Sequence, residues 1–197
     1  MRSPIFAACC LALVAIAATP YATAQATPAA PSVPMAPKTD TPANPKKPIS
    51  APMKADVILP NGTITIDYSA PSTRGRTIFG GLVPYGEVWR TGANAATTLR
   101  TSSALQIGDL NVPAGTYTLY SLPTADGWTL IVNKQTGQWG TVYDKAQDLG
   151  RVAMSTGTNS VPVETFLIDF EKTVGQNTEL HLKWANVDAS VVVTAVK

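Results

Sequence analysis

From Lys54 to the C-terminus, apolar side chains recur at every second position over short runs, the spacing of half-buried β-strands. Val57-Ile58-Leu59-Pro60 and Thr63-Ile64-Thr65-Ile66-Asp67-Tyr68 flank Asn61-Gly62, a dipeptide suited to a two-residue type I′ turn. In that register Leu59 faces Ile64 and Val57 faces Ile66, one apolar face, with Thr63, Thr65 and Asp67 on the other. Thr116 to Tyr120 follows a Pro113-Ala114-Gly115 turn, and Trp128 to Val132 follows Asp126-Gly127. Phe166, Ile168 and Phe170 alternate with polar or outward residues, as do Leu180, Leu182 and Trp184. A valine-rich run closes the chain from Ser190 to Val196. No window shows sustained helical periodicity, and Tyr143 to Leu149 is the best candidate for a turn or two of helix. Many short strands separated by Gly, Pro and Asn turns predict an all-β domain over 54–197, an antiparallel β-sandwich, jelly-roll-like in class.

The first 53 residues follow different rules. Arg2 precedes an apolar run from Ile5 to Ala18, and Ala22-Thr23-Ala24 supplies the small-x-small pattern of a signal peptidase site. Residues 1–24 are therefore expected to be a signal peptide, and the run is short for a membrane span. Residues 25–53 are rich in Pro, Ala, Thr and Lys and predict an extended, disordered linker. Export is the expectation, to the periplasm or the medium, with no transmembrane segment after cleavage. Cys9 and Cys10 both lie in the signal, so the mature chain would carry no thiol, disulfide or cysteine metal ligand.

The whole chain has a formal charge of +2, yet four of its 15 Lys/Arg and only Asp40 of its 13 Asp/Glu precede Lys54. The domain is thus close to neutral, and a domain without a basic field is a poor partner for nucleic acid. The single histidine, His181, falls on the polar face beside Glu179 and Lys183 and is expected at the surface. With one histidine and no mature cysteine, the common zinc arrangements and a serine triad lack their residues, so no metal, cofactor or catalytic set is assigned.

Ser72 to Leu99 breaks the alternation. It holds too many glycines for a plain strand and too many large side chains for a linker, as expected of a structured excursion. Its Arg74, Arg76, Tyr85, Glu87, Trp89, Arg90 and Asn94, joined by Lys134 and Trp139, form the expected ligand-binding set. Aromatic faces beside arginine and amide groups suit a carbohydrate, a cell-wall fragment or an envelope protein. Core packing of the same aromatics is the alternative. Glu87 with Asp144 or Glu164 also offers the two carboxyl groups of a glycoside hydrolase, while an ion pair between Glu87 and the neighbouring arginines would be purely structural. A third role is structural, a sandwich held away from the membrane by its tether.

The run Arg74-Gly75-Arg76, then Ile78-Phe79-Gly80-Gly81-Leu82-Val83-Pro84-Tyr85-Gly86-Glu87-Val88-Trp89-Arg90-Thr91-Gly92-Ala93-Asn94, resembles the signature of the family called domain of unknown function 2911. Val112 to Leu119, Trp128 to Lys134 and Gln138-Trp139-Gly140 resemble its later segments. Ala95 stands where an acidic residue is acceptable in some relatives, which weakens a carboxylate-based reading there. The resemblance implies an exported, β-rich bacterial domain and brings no catalytic residues with it.

Overall fold

The computed structural model describes residues 50–197, so the expected signal peptide and most of the linker lie outside the described residues. Nine strands form one antiparallel sheet: β1 Ala51–Leu59, β2 Gly62–Ala70, β3 Thr97–Thr101, β4 Leu105–Ile107, β5 Leu110–Val112, β6 Gly115–Pro123, β7 Trp128–Asn133, β8 Asp148–Val174 and β9 Asn177–Ala195. Their spatial order is β1-β2-β3-β6-β7-β8-β9-β4-β5. The β4–β5 hairpin thus leaves between β3 and β6, which are neighbours, and joins the far edge of the sheet beside β9.

β8 makes the fold a sandwich. Its first residues, Asp148 to Met154, pair with β7, and Ser155 onward pairs with β9. The pairing is irregular between Thr158 and Val163 and again before Leu167, and such bulges let a long strand bend. Beyond the bend β8 meets the other end of the sheet: Phe166 donates its amide to Pro71 O at 2.8 Å, and Ile168 donates to the Tyr68 hydroxyl at 3.1 Å. Between the layers lie Ile64, Ile66, Leu99, Leu119, Leu130, Phe166, Ile168, Leu182 and Trp184, each nearly inaccessible to water. The predicted antiparallel sandwich is the architecture observed.

Two local expectations change. β1 starts at Ala51, ahead of the predicted Lys54, and Pro52 is accommodated because β1 is an edge strand. The first hairpin turns at Pro60-Asn61 rather than Asn61-Gly62, pairing Leu59 with Gly62, Val57 with Ile64 and Ala55 with Ile66. Proline explains the shift. Flanking the turn, Pro60 would have no amide to give the ladder, whereas at the first central position its fixed φ suits a type I turn. A slip of two residues keeps every side chain on its face, so Leu59, Ile64 and Ile66 are still buried. The helix candidate is a single 3-10 turn, Lys145–Gln147, whose N-cap Asp144 accepts from the Ala146 amide at 2.9 Å.

Candidate functional site

The excursion between β2 and β3 is a series of tight turns. Arg74 (φ 50°) and Gly75 (φ 70°) both adopt left-handed backbone, and the Arg76 amide reaches Thr73 O at 3.0 Å, the geometry of a type I′ turn. The Arg76 side chain then folds back over that turn, donating Nε to Thr73 O at 2.9 Å and Nη2 to Ser72 O at 2.8 Å. Next, the Gly81 and Val83 amides both donate to Ile78 O, and the knot buries Ile78 and Val83. At Gly81 a Cβ would lie 2.5 Å from Thr77 O, which accounts for glycine there.

The chain then runs along β6. Trp89 and Ser121 exchange both backbone hydrogen bonds, at 2.7 and 2.9 Å. Trp89 enters the aromatic end of the core, stacked on Trp184 (5.6 Å, 18°) and edge-on to Phe166 (5.0 Å). Phe79 packs edge-on to Trp128 at 4.8 Å. Thr91 is fully buried with φ 51°, a strained position for a β-branched residue, and its hydroxyl donates to Ser121 Oγ at 3.0 Å. The tail of the excursion pairs with the other end of the signature, the Gly140 amide donating to Asn94 O at 3.1 Å and Ala95 bridging Trp139.

These turns enclose a cleft of about 260 Å³. Trp89, Trp184, Leu82 and Val83 supply its apolar lining, and Arg74, Arg76 and Arg90 its charge; among the described residues no Asp or Glu lines it. Arg90 makes no hydrogen bond or ion pair among the described residues, and its stem lies against Gly140, where a Cβ would meet Arg90 Cδ at 2.4 Å. Arg90 and Trp89 also line a second, shallower cleft with Tyr120 and Tyr143.

The expected ligand-binding set divides accordingly. Arg74, Arg76, Trp89 and Arg90 converge on the first cleft. Tyr85, half exposed, covers Gly80, and a Cβ there would meet the Tyr85 ring at 2.9 Å. Asn94, with φ 59°, donates to Ser50 O at 3.3 Å and acts as a turn residue. Lys134 and Trp139 are exposed outside this cleft. Glu87 is exposed and forms no ion pair among the described residues, so the structural pair expected with the neighbouring arginines is absent.

Glu164 ties the excursion to β8 by hydrogen bonds instead. Its carboxylate accepts from the Thr73 hydroxyl and from the Arg74 amide at 2.9 Å. The Thr73 hydrogen bond foremost, then the Arg74 amide and the charges of Arg74 and Arg76, hold Glu164 below the usual carboxylate range. That shift keeps Glu164 ionised, and Asp144 is committed to its cap by the Ala146 amide. Sequence reasoning overlooked Trp184 as part of the cleft, since its alternation marked it only as core.

His181 corrects a further expectation, being only 5% exposed. β9 kinks at Ala185 (φ 49°), and Asp188 beyond the kink approaches Nδ1 at 2.8 Å. Nε2 lies 3.3 Å from Glu179 and 3.7 Å from Glu171. Long charged side chains bury the histidine on the face that alternation assigns to solvent.

Comparisons with curated proteins and with solved structures found no match. A family model described as "Protein of unknown function (DUF2911)" matches residues 50–193, the stretch holding the excursion, its β6 and β7 supports and the Trp139 loop. The chain belongs to the DUF2911 family.

Proposed function

We propose that this protein is a non-catalytic binding module working outside the cytoplasm, in the periplasm or as a secreted protein, and that its cleft takes a carbohydrate or cell-wall fragment. The observation that carries the reading is the convergence of Arg90, without a partner among the described residues, with Trp89 in a cleft built by the family signature. Arginine beside indole surface is the chemistry that holds sugar hydroxyls while a ring face packs on an aromatic. The signal pattern at residues 1–24 supports export, and N-terminal sequencing of the exported form should begin at Gln25.

The binding test is titration of the purified protein against glycan and wall-fragment arrays, followed through tryptophan fluorescence. Saturable binding that weakens when Arg90 is replaced is the expected result. An absence of binding across neutral and acidic glycans and wall fragments would overturn the reading.

A further inference from the structure

We infer that the ligand of this cleft is an acidic saccharide, a single sugar ring bearing a carboxylate that Arg90 holds. This rests on the binding-module reading and narrows its ligand.

Charge is the first argument. The domain is close to neutral overall, yet among the described residues three arginines and no carboxylate line this cleft. The nearest acidic group in the excursion's hydrogen-bond network, Glu164, is turned to the Thr73 hydroxyl and the Arg74 amide. Arg76 donates to the neutral carbonyl oxygens of Ser72 and Thr73, and the Glu164 carboxylate offsets part of the Arg74 and Arg76 charge, so the unbalanced charge of the lining is that of Arg90. The cleft is therefore left electropositive, and low-dielectric walls strengthen such a field.

Preorganisation is the second. Arg90 sits between two anchored residues, Trp89 paired with Ser121 and Thr91 buried in left-handed backbone. Its stem is confined against Gly140. Strain of this kind persists where surrounding contacts over-determine it, and it clusters at sites that bind. A stem confined in this way has less freedom left to lose when its guanidinium meets a ligand, and the planar fork matches a carboxylate. Arg76 is engaged with backbone and Arg74 is engaged as well, so the cleft presents one open fork. One fork suits a singly charged carboxylate better than a phosphate dianion.

Size and polarity supply the third. About 260 Å³ falls below the roughly 300–1,000 Å³ of pockets for drug-sized ligands, which limits the occupant to about one ring. The Trp89, Leu82 and Val83 surface favours a ligand with an apolar C–H face over a small inorganic anion.

Two matched pairs of probes test the inference on the full chain by calorimetric titration. N-acetylmuramic acid differs from N-acetylglucosamine by its carboxylate-bearing lactyl group, and galacturonic acid differs from galactose by its C6 carboxylate. At least one acid should bind tenfold or more tighter than its neutral partner, and rising salt should weaken that preference. Arg90→Gln should abolish the preference, and Arg90→Lys should restore it only in part. Equal binding of acid and neutral partner overturns the acidic ligand but leaves a sugar-binding module. A preference for glucose 1-phosphate over both acids overturns the carboxylate assignment in the same way. An acid preference that survives Arg90→Gln in a protein of unchanged near-UV circular dichroism overturns the role of Arg90. Failure of every glycan and wall fragment to bind overturns both readings.

Discussion

The backbone carbonyl of Glu164 accepts the Trp184 indole N–H at 3.2 Å, and the same oxygen accepts the Thr73 amide at 2.8 Å. One residue of β8 therefore ties the first turn of the excursion to an indole of the cleft, and its carboxylate adds the Thr73 hydroxyl and the Arg74 amide. The carboxylate is solvent-exposed, so its effect is expected on the order of the turn more than on global stability. Its pKa is lowered from 4.5 in the folded state. A depressed folded pKa means that the stabilisation is complete above 4.5 and fades as pH falls through the lower folded value. Glu164→Gln should lower the protection of the Arg74 and Arg76 amides, relative to intrinsic exchange at the same pH, to the level that the parent protein shows only in acid. Equal protection in the two proteins at pH 7 would count against the carboxylate as the tie.

Trp89 joins the cleft to the core through its stack on Trp184 and its edge contact with Phe166. Truncation to alanine removes those contacts and opens a void between the layers. Phe/Trp→Ala in a core costs about 3–5 kcal/mol, and the partial exposure of Trp89 places it near the lower end, about 3 kcal/mol. Urea denaturation of Trp89→Ala measures this, and a loss below about 1 kcal/mol would mean the ring is a surface platform only.

The elements read correctly from sequence are those whose alternation is local. β6, β7 and the Leu180–Trp184 part of β9 each carry a two-residue period between plain turns. β3 was hidden because Thr97–Thr101 continues straight from the glycine-rich excursion, and β4 and β5 are too short to show a period. The first half of β8 lacked a legible period because Gly150 and the run Ser155-Thr156-Gly157-Thr158 leave it few apolar side chains. At the site, residue types pointed to the arginines and Trp89 but could not separate ligand groups from packing groups. That separation depends on partners far away in the chain: Trp184 for Trp89 and Glu164 for the Arg74 turn. Glu87 was preferred to Glu164 because it is near the arginines in sequence, whereas the bend of β8 brings Glu164 near them in space.

Gly81 is a steric requirement. A methyl group there would lie 2.5 Å from Thr77 O, a backbone atom that moves only if the whole knot moves. Gly81→Ala should cost about 1–3 kcal/mol, the range for forced overpacking, and should loosen the Ile78–Val83 turn. Gly127 has nothing within 4 Å of an added Cβ, so Gly127→Ala is the matched control and should stay within about 0.5 kcal/mol of the parent. Thermal unfolding of the two variants compares them directly, and equal midpoints would show that the knot is not tight.

Glu171 and Lys183 pair across β8 and β9 beside His181. The Lys183 hydrogen bond foremost, with the nearby positive charges, draws Glu171 below 4.5. Burial pushes the Lys183 ammonium down, but the hydrogen bond to Glu171 and the charges of Glu171, Asp188 and Asp169 outweigh it and raise Lys183 above 10.5. The two shifts act at opposite ends of the pH scale. Stabilisation from Glu171 is complete above 4.5 and is lost as pH falls through its lower folded value. Stabilisation from Lys183 is complete below 10.5 and is lost as pH rises through its higher folded value. With the Glu171 side chain 38% exposed, solvent screening limits the pair to about 0.5–1 kcal/mol at neutral pH. A double-mutant cycle with Glu171→Gln and Lys183→Met should give that coupling at pH 7 and a smaller one at pH 3. A coupling unchanged between the two pH values would show that packing of the long side chains, not their charge, joins the strands over His181.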